Sequence, residues 1–308
     1  MAARILGVHE TAAPADTAAT YPAPGVAHWG SEFVARKGGG TLPASTTADQ
    51  LVRAVLAAAG PYLAAGGGCV VRIKLPMDAV RSGAWDSRLT ALGARLVGLA
   101  VIVIPYHEPE DNLKPVVFVP AFGRARSVLR AAAPALEVAY AGMAYQWRPG
   151  SKTTADPAAW ARDLDADLYL LDVYSGNSFA STAILPEHPG FVRWYAEMIA
   201  AHPGRRWGIA ERGILAGPGR AATIRREAQW LATDPIGQAC QLYLWWNTGG
   251  TEGQAGWLLD ADGRAALAEL LDRLAVPAGF ERSALDGVLV CQARGCLVSA
   301  PLADRHVH

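Results

Sequence analysis

The sequence predicts an α/β protein folded as a (β/α)8 TIM barrel. Short apolar segments of strand length alternate with amphipathic helical segments along most of the chain, which is the pattern of parallel α/β folds. The chain has 308 residues, and barrels of this class reach such a length as one unit. Several apolar segments end in polar residues, as expected where a barrel carries its active site. A doubly wound open sheet gives the same alternation and is the alternative.

The predicted strands fall at residues 4–9, around 26–29, 69–75, 100–104, 136–145, 167–174, 206–210 and 241–246. The fourth is continuously apolar, so both of its faces are expected to be covered, as in a parallel sheet. The third carries Arg72 and Lys74 on one face, and charges inside a strand are unusual unless they point into a site. Residues 11–40 are rich in Ala, Pro, Gly and Thr and predict loops around the second strand.

Helical periodicity connects these strands. Thr47 and Gln50 form a predicted capping box, which opens a helix that Gly60 and Pro61 interrupt. Further helices are predicted at residues 89–96, 124–133, 157–164, 188–201, 220–232 and 267–274. Beyond these the alternation decays. Residues 1–276 are therefore predicted to form the barrel domain, and residues 277–308 an appendage to which no role is assigned.

Composition disfavours several classes of function. The chain contains 28 basic and 28 acidic residues, without the positive excess of proteins that bind nucleic acid or anionic lipid. It has no apolar run of about 18 residues that could span a membrane and no recognisable export signal. We therefore expect a cytoplasmic protein of unknown oligomeric state, for which an extracellular polysaccharide substrate would require a non-classical or phage-type release route. The four scattered cysteines predict buried free thiols.

The candidate site consists of polar and aromatic residues at the carboxyl ends of the predicted strands, which converge on one mouth of a barrel. Two glutamates across such a mouth suit glycoside hydrolysis. One carboxyl protonates the leaving oxygen and, in retaining enzymes, the other attacks the anomeric carbon, with the two roughly 5–5.5 Å apart. Aromatic faces stack on sugar rings. The residues at these strand ends are His9, Glu10, Lys74, His107, Glu108, Trp147, Asp172, Tyr174, Glu211, Trp245 and Trp246.

These motifs carry a family resemblance. A fourth strand ending in His-Glu, a sixth in Asp-x-Tyr and a seventh in Glu after Gly-Ile-Ala resemble the retaining barrel glycosidases of clan A. Within that clan they are similar to the family-26, mannanase-like hydrolases. The resemblance covers residues 100–250 and implies Glu108 as the acid/base and Glu211 as the nucleophile, with no cofactor or metal. It implies that His107 orients the sugar or the nucleophile, and that Tyr174 and Trp246 line the subsite of the cleaved sugar.

The segment after Glu108 departs from the family pattern. Mannanase-like enzymes follow His-Glu with Met-Asn and a Trp-rich loop, whereas this chain continues Pro-Glu-Asp-Asn, so mannan specificity is not implied. His-Glu-Pro-Glu resembles uncharacterised barrel hydrolases of actinobacteria and phages. The prediction is thus a retaining O-glycosyl hydrolase that cleaves a polysaccharide or oligosaccharide. Its further substrate-binding residues are predicted to be His9, Lys74, Trp147 and Asp172, although Asp172 is expected mainly to support its neighbours.

Other interpretations of the same residues stay open. Glu110 is an alternative acid, and Glu211 could form an ordinary ion pair with Arg212. Of the adjacent Trp245 and Trp246, which point to opposite faces of a strand, only Trp246 is expected to contact a sugar. A carbohydrate-binding or structural barrel without turnover is a second function, and a metal-dependent barrel hydrolase is a third. Nucleotide binding lacks support because no glycine-rich phosphate loop follows the first strand.

Overall fold

The computed structural model describes residues 4–10, 29–34, 40–176, 180, 182–247 and 255–275. Eight parallel strands close into a barrel in sequence order, and the last strand pairs with the first. The strands are Ile5–Glu10 (β1), Trp29–Val34 (β2), Gly68–Ile73 (β3), Val101–Ile104 (β4), Glu137–Met143 (β5), Leu168–Ser175 (β6), Arg206–Ile214 (β7) and Cys240–Asn247 (β8). The predicted (β/α)8 barrel is confirmed, and the open-sheet alternative is wrong because the sheet has no edge.

Helices cover the outside of the barrel. They are Ala48–Ala64 (α1), Met77–Arg81 (α2), Asp86–Leu96 (α3), Pro115–Ala132 (α4), Ala144–Trp147 (α5), Pro157–Ala161 (α6), Pro189–Trp194 (α7), Arg220–Thr233 (α8), Pro235–Ala239 (α9) and Ala261–Ala275 (α10). A π-helical turn, Tyr195–Ile199, continues α7, and single 3-10 turns lie at Pro109–Asp111, Leu185–Glu187 and Ala255–Trp257.

The apolar core has two parts, one on each side of the barrel wall. The inner part fills the barrel with small and branched side chains, among them Val70, Ile102, Ala139, Leu170 and Ala210. The outer part is larger and lies between the strands and the helices. Because successive residues of a strand face opposite ways, a polar residue that continues the inner row past the apolar layer reaches the carboxyl-end mouth.

A β-bulge interrupts this alternation in β7. Leu171 of β6 pairs with Ile209, but the next residue, Asp172, pairs with Glu211, so Ala210 is an extra residue in β7. The register between β7 and β8 is also irregular in this interval. A bulge re-aims the side chains that follow it. As a result, Glu211 follows the inward-facing Ala210 yet also points to the inside, while Arg212 points to the helices.

Some predicted boundaries differ from the observed ones. β2 is predicted around residues 26–29 but runs over Trp29–Val34. The polar Ser31 and Glu32 hide its apolar pattern, although Ser31 is buried and the Tyr62 hydroxyl donates to Glu32 at 2.8 Å.

Prolines account for the helix boundaries that differ. The predicted stop of the first helix at Gly60-Pro61 is wrong, since α1 continues to Ala64 with Pro61 inside it. Its predicted capping box is confirmed, because the Gln50 backbone N–H donates to the Thr47 hydroxyl and the Thr47 N–H donates to the Gln50 side chain. α4 begins at Pro115 instead of residue 124, because proline is favourable in the first helical turn.

Three remaining expectations concern cysteines, membranes and the carboxyl-terminal segment. Cys69 and Cys240 are buried free thiols, as predicted. Within the described ranges, no helix has the length and apolar character needed to cross a membrane. The predicted appendage, residues 277–308, lies outside the described residues.

Candidate active site

The mouth at the carboxyl ends of the strands contains two glutamates, one after β4 and one on β7. Glu108 follows β4 by a short extension, and Glu211 lies where the bulge turns β7 inward. Arg72 of β3 and Tyr174 of β6 contact Glu211, and Asp172 of β6 contacts His107, the neighbour of Glu108. This is the end of the barrel where active sites are found, and it is the end predicted from the sequence.

The carboxylate of Glu211 is held by two side chains. The Arg72 guanidinium from β3 forms an ion pair with Oε1, and the Tyr174 hydroxyl from β6 donates to Oε2. Arg72 also donates to the backbone oxygen of Ala210 at 2.6 Å. Glu211 is 5% exposed and Arg72 is 1% exposed, so the two charges compensate one another with little help from water. Burial raises the pKa of Tyr174 well above its usual value, which keeps its phenol protonated and able to donate.

Arg212 does not take part in this site. It lies on the other side of the barrel wall, where its Nε donates to Glu227 of α8 at 2.8 Å and both side chains are fully buried. The Tyr243 hydroxyl donates to the same Glu227 carboxylate at 2.6 Å. The alternative in which Glu211 forms an ordinary ion pair with Arg212 is therefore wrong, because the two side chains face opposite layers.

Glu108 adopts a strained backbone conformation. Its φ of 48° and ψ of 61° lie in the left-handed region, and among the described residues no other non-glycine residue has a positive φ. This conformation costs a residue with a Cβ about 1–2 kcal/mol, and such strain is concentrated at functional sites. The Glu108 N–H donates to the Ala141 carbonyl of β5 at 3.1 Å, which ties the turn to the barrel.

His107 lies between two carboxyl groups. Its Nε2 is 3.3 Å from Glu108 Oε2, and its Nδ1 is 3.4 Å from Asp172 Oδ2. Burial lowers the pKa of His107, so the imidazole is neutral. Burial also raises the pKa of Asp172 well above its usual value, against the opposing effect of Arg72. Burial favours the neutral form of Glu108, but the contact with His107 and the nearby cations Arg72 and Lys74 together lower its pKa.

These same three residues bring potential metal ligands within 4.8 Å of one another. However, His107 turns one ring nitrogen to each carboxyl group, and a single ion can bind only one of the two nitrogens. The geometry therefore fits a chain of three neighbouring groups, Asp172, His107 and Glu108, better than a chelate. This weakens the metal-dependent alternative and leaves the imidazole as a connection between the two acids.

Glu110 lies behind this chain in the protein interior. It is 2% exposed, and its Oε1 accepts hydrogen bonds from the Tyr140 hydroxyl and from the Trp147 indole, the latter at 2.6 Å. Burial raises its pKa to about 7 in spite of these hydrogen bonds. Trp147, predicted to contact the substrate, has no exposed surface. Its indole is committed to Glu110, so its position corrects the expectation of direct contact.

Aromatic side chains and a lysine line the rim of the cleft. Phe33 of β2 is 36% exposed, with its ring centroid 4.9 Å from that of His107 and 6.2 Å from that of Trp246. Trp246 is partly exposed, whereas Trp245 is fully buried in the outer core. Lys74 is partly buried, and its ammonium lies 5.8 Å from the centre of the Tyr106 ring.

The structure thus brings together most of the residues predicted from the sequence. Glu108, His107, Asp172, Tyr174 and Glu211 form two connected groups at one mouth. The backbone of His9, also predicted to bind substrate, pairs with that of Trp246 on β8. The side chain of His9 lies outside the described part of the structure.

Three further residues of the site are absent from the sequence-based set. Arg72 is recognisable as a charge within a strand, but nothing in the sequence identifies its partner. Phe33 lies on the strand whose position is predicted wrongly, and Tyr140 lies in an apolar strand with no polar signal around it.

No protein-family model matches the chain, and no curated protein matches its sequence. Solved structures resemble it in three dimensions. An endo-β-1,4-glucanase from Xanthomonas axonopodis pv. citri superposes with a TM-score of 0.60 at 14% identity, covering 89% of this chain and 100% of its own. A GH5_18 protein from Streptomyces cattleya, solved with GlcNAc, gives 0.59 at 15%, covering 89% and 81%.

The catalytic domain of a GH26 endo-β-1,4-mannanase from Bacillus sp. JAMB-750 gives a TM-score of 0.57 at 13% identity, covering 88% of this chain and 85% of its own. Identities this low establish a likeness of architecture. The chain therefore shares the barrel fold of these glycoside hydrolases.

Proposed function

We propose that the protein is a retaining O-glycosyl hydrolase that cleaves a polysaccharide or oligosaccharide by double displacement through Glu211 and Glu108. The observation that carries this proposal is the contrast between the two glutamates of one cleft. Glu211 is paired with the Arg72 guanidinium and oriented by Tyr174, while Glu108 is partly exposed in a strained turn beside a histidine. Two carboxyl groups in different environments are what acid/base and nucleophile roles require.

In the first step, Glu211 is the nucleophile. Its carboxylate attacks the anomeric carbon and forms a glycosyl ester, while the bond to the leaving oxygen breaks and that oxygen takes a proton from Glu108. In the second step, Glu108 takes a proton from water, and the resulting hydroxide displaces Glu211 from the anomeric carbon. Arg72 holds one oxygen of the Glu211 carboxylate before attack and after release, and Tyr174 orients the other.

The proton for the first step is supplied along the chain of three residues. Asp172 is buried without a hydrogen bond to either carboxyl oxygen from the described residues, so it is retained as a neutral acid. Transfer of its proton to His107 Nδ1, together with transfer of the Nε2 proton to Glu108, leaves Asp172 ionised, the imidazole neutral and Glu108 protonated. Asp172 and His107 therefore set the protonation of Glu108 without contacting the leaving oxygen.

The rim residues suggest where the sugar binds. Phe33 and Trp246 present aromatic surface beside His107, which suits the apolar faces of sugar rings. The solved structures of similar fold are named as acting on β-1,4-linked glucan and mannan. We therefore place β-1,4-linked glucans and mannans first in a substrate panel, followed by other plant, fungal and bacterial polysaccharides.

The test compares wild type with Glu108→Ala and Glu211→Ala on this panel, and on aryl glycosides of the sugar that wild type releases. Both variants are expected to lose polysaccharide hydrolysis. With added azide, Glu211→Ala should form a glycosyl azide of inverted anomeric configuration, because azide replaces the nucleophile. Glu108→Ala should form one of retained configuration from an aryl glycoside, because azide then intercepts the glycosyl ester.

A matched control is Glu197→Ala, which removes an exposed glutamate and should leave hydrolysis unchanged. Hydrolysis that persists in both site variants would contradict the assignment of the two glutamates. If wild type cleaves nothing in the panel but binds one of its members, the carbohydrate-binding barrel without turnover becomes the better interpretation.

A further inference from the structure

The Glu108 turn requires an anchor that the two-glutamate mechanism does not provide. A glutamate held at a φ of 48° tends to relax unless neighbouring contacts fix the segment. The backbone supplies one fixed point, the hydrogen bond from Glu108 N–H to the Ala141 carbonyl. On the other side of the turn, the 3-10 segment Pro109–Asp111 carries a buried side chain, that of Glu110.

The Glu110 carboxyl joins this segment to two other elements. Its Oε1 accepts from Tyr140 on β5 and from Trp147 on α5, and both donors are fully buried. The neighbouring backbone at Gly142 of β5 leaves space for this contact. A Cβ at that position would lie 2.4 Å from the same Oε1 and equally close to the Tyr140 hydroxyl oxygen. Glycine at this position therefore makes room for the carboxyl and for one of its donors.

The surroundings of Glu110 favour its neutral form. The Glu110 Oε2 is buried and has no hydrogen-bond partner among the described residues. None of the salt bridges among these residues involves Glu110. The groups that face it are Tyr140 and Trp147, and the negative charge of Glu108 opposes its ionisation. A buried carboxylate without a cation is costly, whereas a neutral acid accepts both hydrogen bonds through Oε1.

We propose that Glu110 is a positioning residue, whose neutral carboxylic acid anchors the left-handed turn that presents Glu108 to the cleft. This inference rests on the proposed function, in which Glu108 is the acid/base. Glu110 is only 2% exposed, which is too deep for it to protonate a leaving group. Glu110 is therefore not the catalytic acid itself but acts through Glu108. Its ionisation would add a negative charge two residues from Glu108 and near Asp172, whose protonation also responds to Glu110.

The test compares two substitutions at Glu110 that separate shape from hydrogen bonding. Glu110→Gln retains a neutral group with an acceptor oxygen, whereas Glu110→Leu retains approximate volume and removes the acceptor. We expect Glu110→Gln to keep kcat within about threefold of wild type at acidic pH, and Glu110→Leu to lose about 10- to 100-fold in kcat with KM nearly unchanged, because a misplaced catalytic group affects the chemical step. The alkaline limb of the wild-type pH profile should move to higher pH in Glu110→Gln.

A second arm needs no activity. Carbon-13 NMR of protein labelled at glutamate Cδ follows individual carboxyl groups, with the Glu110 and Glu108 signals identified by their absence in Glu110→Gln and Glu108→Gln. The Glu110 signal should titrate with a midpoint near 7, and the Glu108 signal should keep its position in Glu110→Gln but move in Glu110→Leu. If Glu110→Leu does not fold, Tyr140→Phe removes one donor to the same oxygen and should shift the Glu108 signal.

The outcomes distinguish this inference from the proposed function. Equal kcat in both Glu110 variants, with an unmoved Glu108 signal, would overturn the positioning role and leave glycoside hydrolysis intact. A Glu110 signal that titrates near its ordinary value would overturn it as well. Failure of the azide experiments with a Glu108 signal that still moves in Glu110→Leu would instead count against the proposed function alone.

Discussion

Replacing Glu110 by glutamine should change how the stability of the protein depends on pH. The wild-type carboxyl has its pKa raised by burial from 4.5 to about 7, so the folded state holds a proton that the unfolded state releases in this interval. The resulting stabilisation is fully present below pH 4.5 and is lost as the pH rises through 7. At about 1.4 kcal/mol per pKa unit, it amounts to about 3 kcal/mol. Glutamine does not titrate and loses nothing over the same interval.

The measurement is urea unfolding followed by fluorescence at pH 5, 6, 7 and 8 for wild type and Glu110→Gln. Because part of this stabilisation is already lost at pH 5, the free energy of unfolding of wild type should fall by about 2.5 kcal/mol relative to that of the variant between pH 5 and pH 8. Groups that titrate in both proteins cancel in the difference. Glu197→Gln, at an exposed site, provides the matched control and should run parallel to wild type. A constant difference between wild type and Glu110→Gln from pH 5 to 8 would refute the buried neutral acid.

Three further predictions concern the contacts around the two glutamates. Arg72→Met leaves the Glu211 carboxylate buried without its cation. Urea unfolding should show that this variant loses about 3–5 kcal/mol of unfolding free energy, and a loss under 1 kcal/mol would contradict the ion pair. Tyr174→Phe removes a hydrogen bond to that carboxylate and should lower kcat by about 10- to 100-fold, with unchanged kcat as the contrary result. Gly142→Ala places a Cβ 2.4 Å from Glu110 Oε1 and should cost about 1–3 kcal/mol, whereas an unchanged urea midpoint would show that the site relaxes freely.

The barrel and the first glutamate could be predicted because their signals are local. Pro105 and Pro109 end an apolar strand, and this ending places the His107-Glu108 pair between them at the mouth of the barrel. The helices are recognisable from the spacing of their leucines. These features depend on residues that are neighbours in sequence, so a single sequence is sufficient to find them.

The partners of the site residues could not be predicted, because they come from distant strands. Arg72 is visible as an unusual charge, yet its pairing with Glu211 depends on the closure of the barrel. Trp147 follows a strand as a sugar-binding residue would, but a helical turn brings it into the interior, where it donates to Glu110. The second strand is predicted too early because its polar residues, the buried Ser31 and the half-buried Glu32, obscure the apolar pattern.

The extra residue in β7 determines which of two opposite charges faces the mouth of the barrel. Glu211 and Arg212 are consecutive, and each meets its own counter-ion on its own side of the barrel wall. If Ala210 stayed in the strand and paired with Asp172, the bulge would disappear and the two side chains would exchange, so that Glu211 would meet Glu227 in the helical layer and Arg212 would meet Arg72 in the cleft. Both encounters join like charges in the interior. Electrostatic repulsion thus destabilises the arrangement in which β7 is shifted by one residue relative to β6, and so favours the native register during folding.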